Sequence, residues 1–336
     1  MGAFRPFDEV QWGVMQARPP ADDRTMPLLI EPQGDLEGSA AALGSWAAEH
    51  RHDLDEWLHR DGAVLLRGFG VGSPKEFHDV VAAIQPQLLD YVGGDSPRKA
   101  VGDRIYTSTE FPPELEIGLH NELSYTHSWP ERVFFCCLVA ADNGGETHIA
   151  DSRRVFAELQ PAVRDRFSEK GVVYRQHLRD GNGGPGPGKS WQETFETTKR
   201  AEVERVCGSQ DMEFEWTRRG LRTSLRNPGV LTHPITGETC WFNQADMWHA
   251  SFDTVKAQEA RTVSDVPVEE ALGSHACYGD GAEIPIPDLR SVRTAYRNSE
   301  ILFPWQAGDL LILDNVLTMH GRKPFKGKRR VLVAMA

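Results

Sequence analysis

The chain has 336 residues, with 37 Lys+Arg against 49 Asp+Glu and a formal net charge of −12. Hydrophobic residues make up 40% and charged residues 26%, an ordinary globular balance in a chain long enough to bury a large core. The acid excess argues against a broad nucleic-acid or anionic-membrane surface. The longest apolar run, residues 133–141, is far short of the roughly 20 residues of a membrane span. The opening MGAFRPFDEV lacks the apolar centre of a signal peptide, and five cysteines without a C-x-x-C pair read as free thiols, so a cytoplasmic location is expected. One irregularity stands out. No acidic residue follows Asp314, whereas residues 322–330 hold Arg322, Lys323, Lys326, Lys328, Arg329 and Arg330.

In chain order, residues 1–35 are proline-rich and weakly patterned, an irregular arm. Leu43, Trp46, Ala47, Leu54, Trp57 and Leu58 follow helical spacing up to Gly62, and 63–66 is a short buried strand. Ser73, Pro74 and Glu76 open a helix whose apolar stripe is Phe77, Val80, Val81 and Ile84. Further helices are expected at 152–170, 198–207 and 288–300, and strands at 115–123, 132–139, 171–177, 309–313 and 329–335. No repeat or long polar linker divides the chain, so 1–336 reads as a single domain of β-structure with flanking helices.

The strand predicted at 115–123 carries the chemistry. Alternate side chains share a face, which puts Leu115, Ile117, Leu119, Asn121 and Leu123 on one side, with Asn121 a core amide. His120 and Glu122 share the other side, their Cα atoms about 6.5–7 Å apart by strand rise. An imidazole and a carboxylate so placed can converge on one ion, and a second imidazole would complete the donor set of a non-haem iron(II) site with open positions. His320 offers that imidazole, following the apolar strand at 309–313. Ten residues on, Arg330 opens the apolar closing strand, where its charge is costly unless it meets an anion. A dicarboxylate cosubstrate would supply one.

Taken together, His120-Asn121-Glu122-Leu123-Ser124-Tyr125, Gly144-Gly145-Glu146-Thr147, Ile149-Ala150-Asp151-Ser152-Arg153, Trp241-Phe242-Asn243-Gln244 and the segment 314–331 carry a family resemblance. The chain resembles the iron(II)/2-oxoglutarate-dependent dioxygenases of the taurine dioxygenase and clavaminate synthase-like group, in particular their amino-acid hydroxylases. The resemblance covers about two-thirds of the chain. It implies a double-stranded β-helix, or jelly roll, with His120, Glu122 and His320 on iron(II), and with 2-oxoglutarate held by Arg330 and the Thr147 hydroxyl. The loop from His320 to that arginine varies in length across the family, so Arg329 is the alternative. The expected reaction couples 2-oxoglutarate and O₂ to hydroxylation of an unactivated C–H bond. The substrate would be an amino acid, free or on a peptide carrier protein, in natural-product biosynthesis. Desaturation would use the same residues. Halogenases of this type need a small residue at the carboxylate position, so Glu122 argues against that outcome. Arg322 and Asn243 are candidate substrate contacts, each equally readable as bracing a turn or strand end.

A rival motif lies mid-chain. Residues 183–190 satisfy G-x-x-x-x-G-K-S, the phosphate-cradling pattern of nucleotide hydrolases. Pro185 and Pro187 have no N–H to offer a phosphate, and the alternating βα pattern of such enzymes is missing. The stretch 178–195 reads better as a lid loop. A third possibility is a jelly-roll metalloprotein that uses the same three ligands without O₂.

Overall fold

The computed structural model describes residues 11–12, 15–18, 26–33, 38–90, 98–108, 111–183, 189–251 and 273–336. Its backbone is a nine-stranded sheet centred on four neighbouring strands, in the order Ala63–Leu66, Leu310–Asp314, Arg132–Val139 and Arg330–Met335. These strands read as continuous apolar runs because both of their faces are covered. Val64, Leu66, Phe134, Cys136, Leu310, Ile312, Leu332 and Ala334 face one way, packing on the helices Ala40–Glu49, Arg51–Asp61 and Pro74–Ile84. Leu65, Phe135, Leu311, Leu313, Val331 and Val333 face the other way, packing with Ile149, Ile301, Phe303 and Trp305. Ile149 and Ile301 belong to a smaller sheet, ordered Glu300–Ile301, Ile149–Asp151, Thr318–Arg322 and Ile117–His120. Its far side is closed by a cluster containing Leu119, Ala150 and Met319 together with Leu289 and Val292 of the helix Ile286–Ser299. The order is therefore helices, large sheet, small sheet, helices.

Local chemistry explains the element ends. Ser39 and Ser73 each accept a backbone N–H in the first turn of the helix that follows. Gly62 closes the second helix at φ 78°, where an added Cβ would meet Thr318 Oγ1 at 2.5 Å. The helix expected at 152–170 is two, Ser152–Glu158 and Pro161–Lys170, because Pro161 starts a new first turn instead of continuing the old one. The strand expected at 115–123 is shorter, Ile117–His120, and Leu115 is exposed. Part of the arm is ordered too. Leu28–Pro32 pairs in parallel with Ala63–Leu66, a partner that no local pattern reveals.

The nucleotide-binding reading of 183–190 fails on topology. Val172–Arg179, the strand before it, lies in a separate antiparallel sheet between Gly220–Asn227 and Ser274–Tyr278. Ser190 caps the five-residue helix Trp191–Phe195, its hydroxyl accepting the Glu193 N–H while the Glu193 carboxylate accepts the Ser190 N–H at 2.7 Å. Both groups that a phosphate or its metal would need are used within the turn. Residues 184–188 of the motif and of the expected lid lie outside the described residues. Among the described residues no helix is long and apolar enough to cross a membrane. All five cysteines are free and buried, and burial pushes the Cys137 thiol up to about 11, which leaves it protonated and inert at neutral pH.

Leu311 is fully buried in the centre of the large sheet, with Phe135 and Leu65 opposite it on the two neighbouring strands. Leu311→Ala is expected to cost about 2–5 kcal/mol, from lost burial and the cavity left behind. In a denaturant titration this appears as a lower midpoint at unchanged slope.

Candidate active site and metal centre

Two histidines meet because two strands pair. Thr318–Arg322 runs antiparallel to Ile117–His120 with His320 opposite His120, and the imidazole centroids are 4.5 Å apart. The close approach depends on Gly321, where a Cβ would lie 2.1 Å from His148 Nε2 and 2.4 Å from the Ile117 carbonyl oxygen. His120 Nδ1–H donates to the Gly118 carbonyl at 2.8 Å, which leaves the Nε2 lone pair for a ligand.

Glu122 reaches the same point by a route that strand alternation does not describe. The strand ends at His120, and residues 122–125 form a turn in which Leu123 takes φ 56°. The turn is held from across the fold by the side chain of Asn315. Its Oδ1 accepts the Glu122 N–H at 2.7 Å, and its Nδ2 donates to the carbonyls of Glu122 and Pro130, both at 2.9 Å. Asp314 locks the other half of the clasp by accepting the N–H groups of Val316 and Leu317 at 2.9 Å. Asn121 is the buried amide expected, donating to the Asn315 carbonyl at 2.7 Å.

His120, Glu122 and His320 thus offer ligand atoms that all lie within 4.8 Å of one another. Glu122 Oε2 is 3.4 Å from His320 Nε2 and accepts a 2.8 Å hydrogen bond from Arg98 Nη2. Burial alone would raise the Glu122 pKa, but Arg98 and the two imidazoles outweigh it and hold the carboxyl well below the usual range. His120 is pushed down to about 3, by burial and by the neighbouring His320, so its imidazole is neutral at physiological pH. Two imidazoles and one carboxylate on one side of a cavity fit iron(II) with open positions. His320 Nδ1, buried without a hydrogen-bond partner among the described residues, marks a site short of one polar neighbour.

The rest of the cavity is cationic. Arg98, Arg322, Arg329 and the Thr147 hydroxyl line it beside the histidines. Of the two arginines weighed from sequence, the structure brings Arg329 to this cavity. Arg329, just before the closing strand, lines the cavity with Val331, while Arg330 opens the strand exposed. A register shift falls between Arg330 and Val331. Arg329 donates to the Gly145 carbonyl at 2.8 Å, and no carboxylate among the described residues is at ion-pair distance. Burial and the nearby Arg322 push its pKa down to about 10, the mark of a buried cation short of an anion. Thr147 Oγ1 accepts the Trp305 indole N–H at 3.1 Å, which leaves its own O–H to donate.

The two residues read as substrate contacts both make bracing contacts. Arg322 donates to the carbonyls of Phe111, Pro112 and Leu115 at 2.6–2.9 Å, although its side chain also borders the cavity. Asn243 is fully buried, donating to the Gly229 carbonyl and accepting the Ala245 N–H, and does not border the cavity. Arg98 and Asn315 are the residues that sequence reasoning missed. A second cluster, His249, His275 and Glu283, is closed on itself. Both Nδ1 atoms accept backbone N–H groups, so both Nε2–H groups donate to the Glu283 carboxylate, at 2.7 and 3.0 Å.

A sheet-rich fold that brings two imidazoles, a carboxylate and an inward arginine to one cavity defines a metal-dependent oxygenase class. Residues 23–335 match the taurine catabolism dioxygenase TauD, TfdA family, and the chain belongs to it. The protein is an iron(II)- and 2-oxoglutarate-dependent dioxygenase. It is 37% identical over 285 residues to the dapdiamide synthesis protein DdaC of Enterobacter agglomerans, an alignment covering 84% of each chain. It is 31% identical over 291 residues to a clavaminate synthase-like protein of Arabidopsis thaliana, covering 85% of this chain and 84% of the relative. Among solved structures it superposes on PvcB of Pseudomonas aeruginosa, described as an Fe, alpha-ketoglutarate dependent oxygenase from an isonitrile synthetic pathway. The TM-score is 0.54 at 15% identity over 99% of this chain and 94% of that one, a likeness of fold.

Asn315→Ala removes the clasp that aims Glu122 without touching a ligand atom. Calorimetric titration with Mn(II) under nitrogen is expected to show affinity about 10- to 100-fold weaker, and the unliganded protein about 1–3 kcal/mol less stable.

Proposed function

We propose that His120, Glu122 and His320 hold the iron, that Arg329 and Thr147 receive the distal carboxylate of 2-oxoglutarate, and that the enzyme hydroxylates an unactivated C–H bond of an amino acid, free or carried on a peptide carrier protein, in natural-product biosynthesis. The observation that carries the reading is the convergence of three ligand atoms within 4.8 Å beside a half-buried arginine with no carboxylate partner among the described residues. The pair of sheets packed through Leu311, Val333 and Ile149 supports the double-stranded β-helix expected from sequence. The 37% identity to a dapdiamide synthesis protein supports the pathway class. Five buried free thiols are consistent with a cytoplasmic location.

Iron with 2-oxoglutarate and O₂ supplies an oxidant for C–H cleavage by decarboxylating the cosubstrate to succinate and CO₂. The chain's own residues decide where that chemistry happens. His120 presents Nε2 because its Nδ1 proton is spent on the Gly118 carbonyl. Glu122 stays ionised through Arg98 and the imidazoles, giving a negative donor without a proton to displace. Arg329 orients a dicarboxylate by a paired, charge-assisted bond, while Phe135 and Val331 supply apolar wall that keeps water from the reacting centre. A carboxylate at position 122 fills the place a halide would need and favours hydroxylation over halogenation.

Anaerobic addition of Fe(II) and 2-oxoglutarate should give the weak visible charge-transfer band of the chelate. His120→Ala or His320→Ala should abolish it. Arg329→Ala should weaken 2-oxoglutarate binding about 10- to 100-fold, and Arg330→Ala should leave it nearly unchanged. Retained binding in Arg329→Ala with loss in Arg330→Ala would reverse the assignment. Succinate release stimulated by one member of a panel of amino acids and carrier-bound aminoacyl groups, with one oxygen atom added to that compound, identifies the substrate.

A further inference from the structure

Thr147 and Trp305 meet behind the wall of the iron cavity, and the hydrogen bond between them has a direction. The Thr147 side chain is buried and lines the cavity beside Arg329. Trp305 is buried without lining it. Its indole packs from behind in the cluster of Phe135, Ile149 and Val331, edge-on to Phe303 at 5.3 Å between ring centroids. An indole N–H can only donate, so at the 3.1 Å contact Thr147 Oγ1 is the acceptor. The hydroxyl proton is thereby kept from turning back toward the indole. The Thr147 side chain makes no other hydrogen bond among the described residues, so that proton still needs an acceptor.

Both partners are held by their backbones. On either side of Thr147, the carbonyls of Glu146 and His148 accept the N–H groups of Lys323 and Gly321 at 3.0 and 2.9 Å, along the chain that carries His320. On either side of Trp305, the Pro304 carbonyl accepts from Arg67 Nη2 and the Gln306 N–H donates to Asp309 Oδ2, both at 2.8 Å. Arg67 completes that turn with a bidentate pair to the buried Asp309, at 2.9 and 2.7 Å. A hydroxyl that would otherwise rotate freely is therefore biased by a donor on a fixed turn. An N–H bound to its lone pair also polarises the O–H, which then donates more strongly to the next acceptor. The guanidiniums around the cavity only donate, so a bound carboxylate is the acceptor that completes the chain.

We propose, resting on the cosubstrate reading of Thr147 above, that Trp305 is a positioning residue for 2-oxoglutarate. Its indole N–H orders the Thr147 hydroxyl as a donor into the cavity. Affinity for the distal carboxylate then depends on a side chain that never touches it, and the turn braced by Arg67 and Asp309 belongs to the same device.

The test is a double-mutant cycle of Trp305→Phe and Thr147→Val. It is read as the 2-oxoglutarate concentration that half-saturates the visible band of the anaerobic Fe(II) enzyme. Thr147→Val should weaken binding about 10-fold, since a hydrogen bond to a charged group is lost. Trp305→Phe should weaken it several-fold while Mn(II) affinity without cosubstrate stays the same. In the double variant the second substitution should cost nothing further, because the hydroxyl through which Trp305 acts is already gone. Losses that multiply in the double variant would overturn the proposal. So would unaltered 2-oxoglutarate binding in Trp305→Phe, or Mn(II) affinity that falls in step with cosubstrate affinity. Should Trp305→Phe not fold, benzothienylalanine at position 305, an isostere with sulfur in place of the N–H, serves in the same cycle. Unchanged binding in Thr147→Val would defeat the cosubstrate reading and the proposal with it, whereas multiplying losses defeat the proposal and leave that reading standing.

Discussion

The antiparallel pairing of Thr318–Arg322 with Ile117–His120 is the constraint from which the rest of the site follows. It sets His320 against His120, it needs the missing side chain at Gly321, and it leaves the chain free to turn at residue 121 so that Glu122 can swing back toward the imidazoles. A pairing this specific would be weak on a flexible support. It is held by the sheet behind it, whose inner face packs Leu311, Leu313 and Val333 against Ile149, and by the Asn315 amide, which binds the turn to the end of Leu310–Asp314 through two hydrogen bonds to Glu122. Ligand geometry is thus fixed by backbone hydrogen bonds and apolar packing before any ion arrives, the kind of preorganisation that a metal site with open positions needs.

The electrostatics complement that geometry. A protein of net charge −12 concentrates buried arginines at one cavity, and each is compensated differently. Arg322 meets carbonyl dipoles, Arg98 meets a carboxylate, and Arg329 meets only a carbonyl and a hydroxyl among the described residues. Burying a cation without a counter-charge is costly, which is the support for the anion proposed at Arg329. The basic C-terminal segment accordingly divides in two. Lys326, Lys328 and Arg330 are exposed, whereas Arg329 points inward.

Much of this was legible in the sequence where meaning is local. The runs at 63–66, 132–139 and 309–313 announced strands covered on both faces, and the spacing of Phe77, Val80, Val81 and Ile84 announced a helix with one buried side. His120, Glu122 and His320 stood out by residue type, although Glu122 arrives by a turn and not by the alternation that drew attention to it. Spacing to Gly327 favours Arg330, and only the folded chain shows that Arg329 is the one of the pair that lines the cavity. Arg98 and Asn315 were not legible, since their roles rest on partners 24 and 193 positions away. Arg322 and Asn243 are ambiguous for the converse reason. A polar residue near a strand end looks the same in sequence whether it faces a ligand or backbone carbonyls.

The central claim is that one ion sits between His120, Glu122 and His320, and a crystal of the protein soaked in Mn(II) without oxygen tests it most directly. Anomalous scattering at the manganese edge should give one strong peak bonded to His120 Nε2, His320 Nε2 and the Glu122 carboxylate. A principal peak at the His249, His275 and Glu283 cluster, or none between the paired strands, would contradict the account.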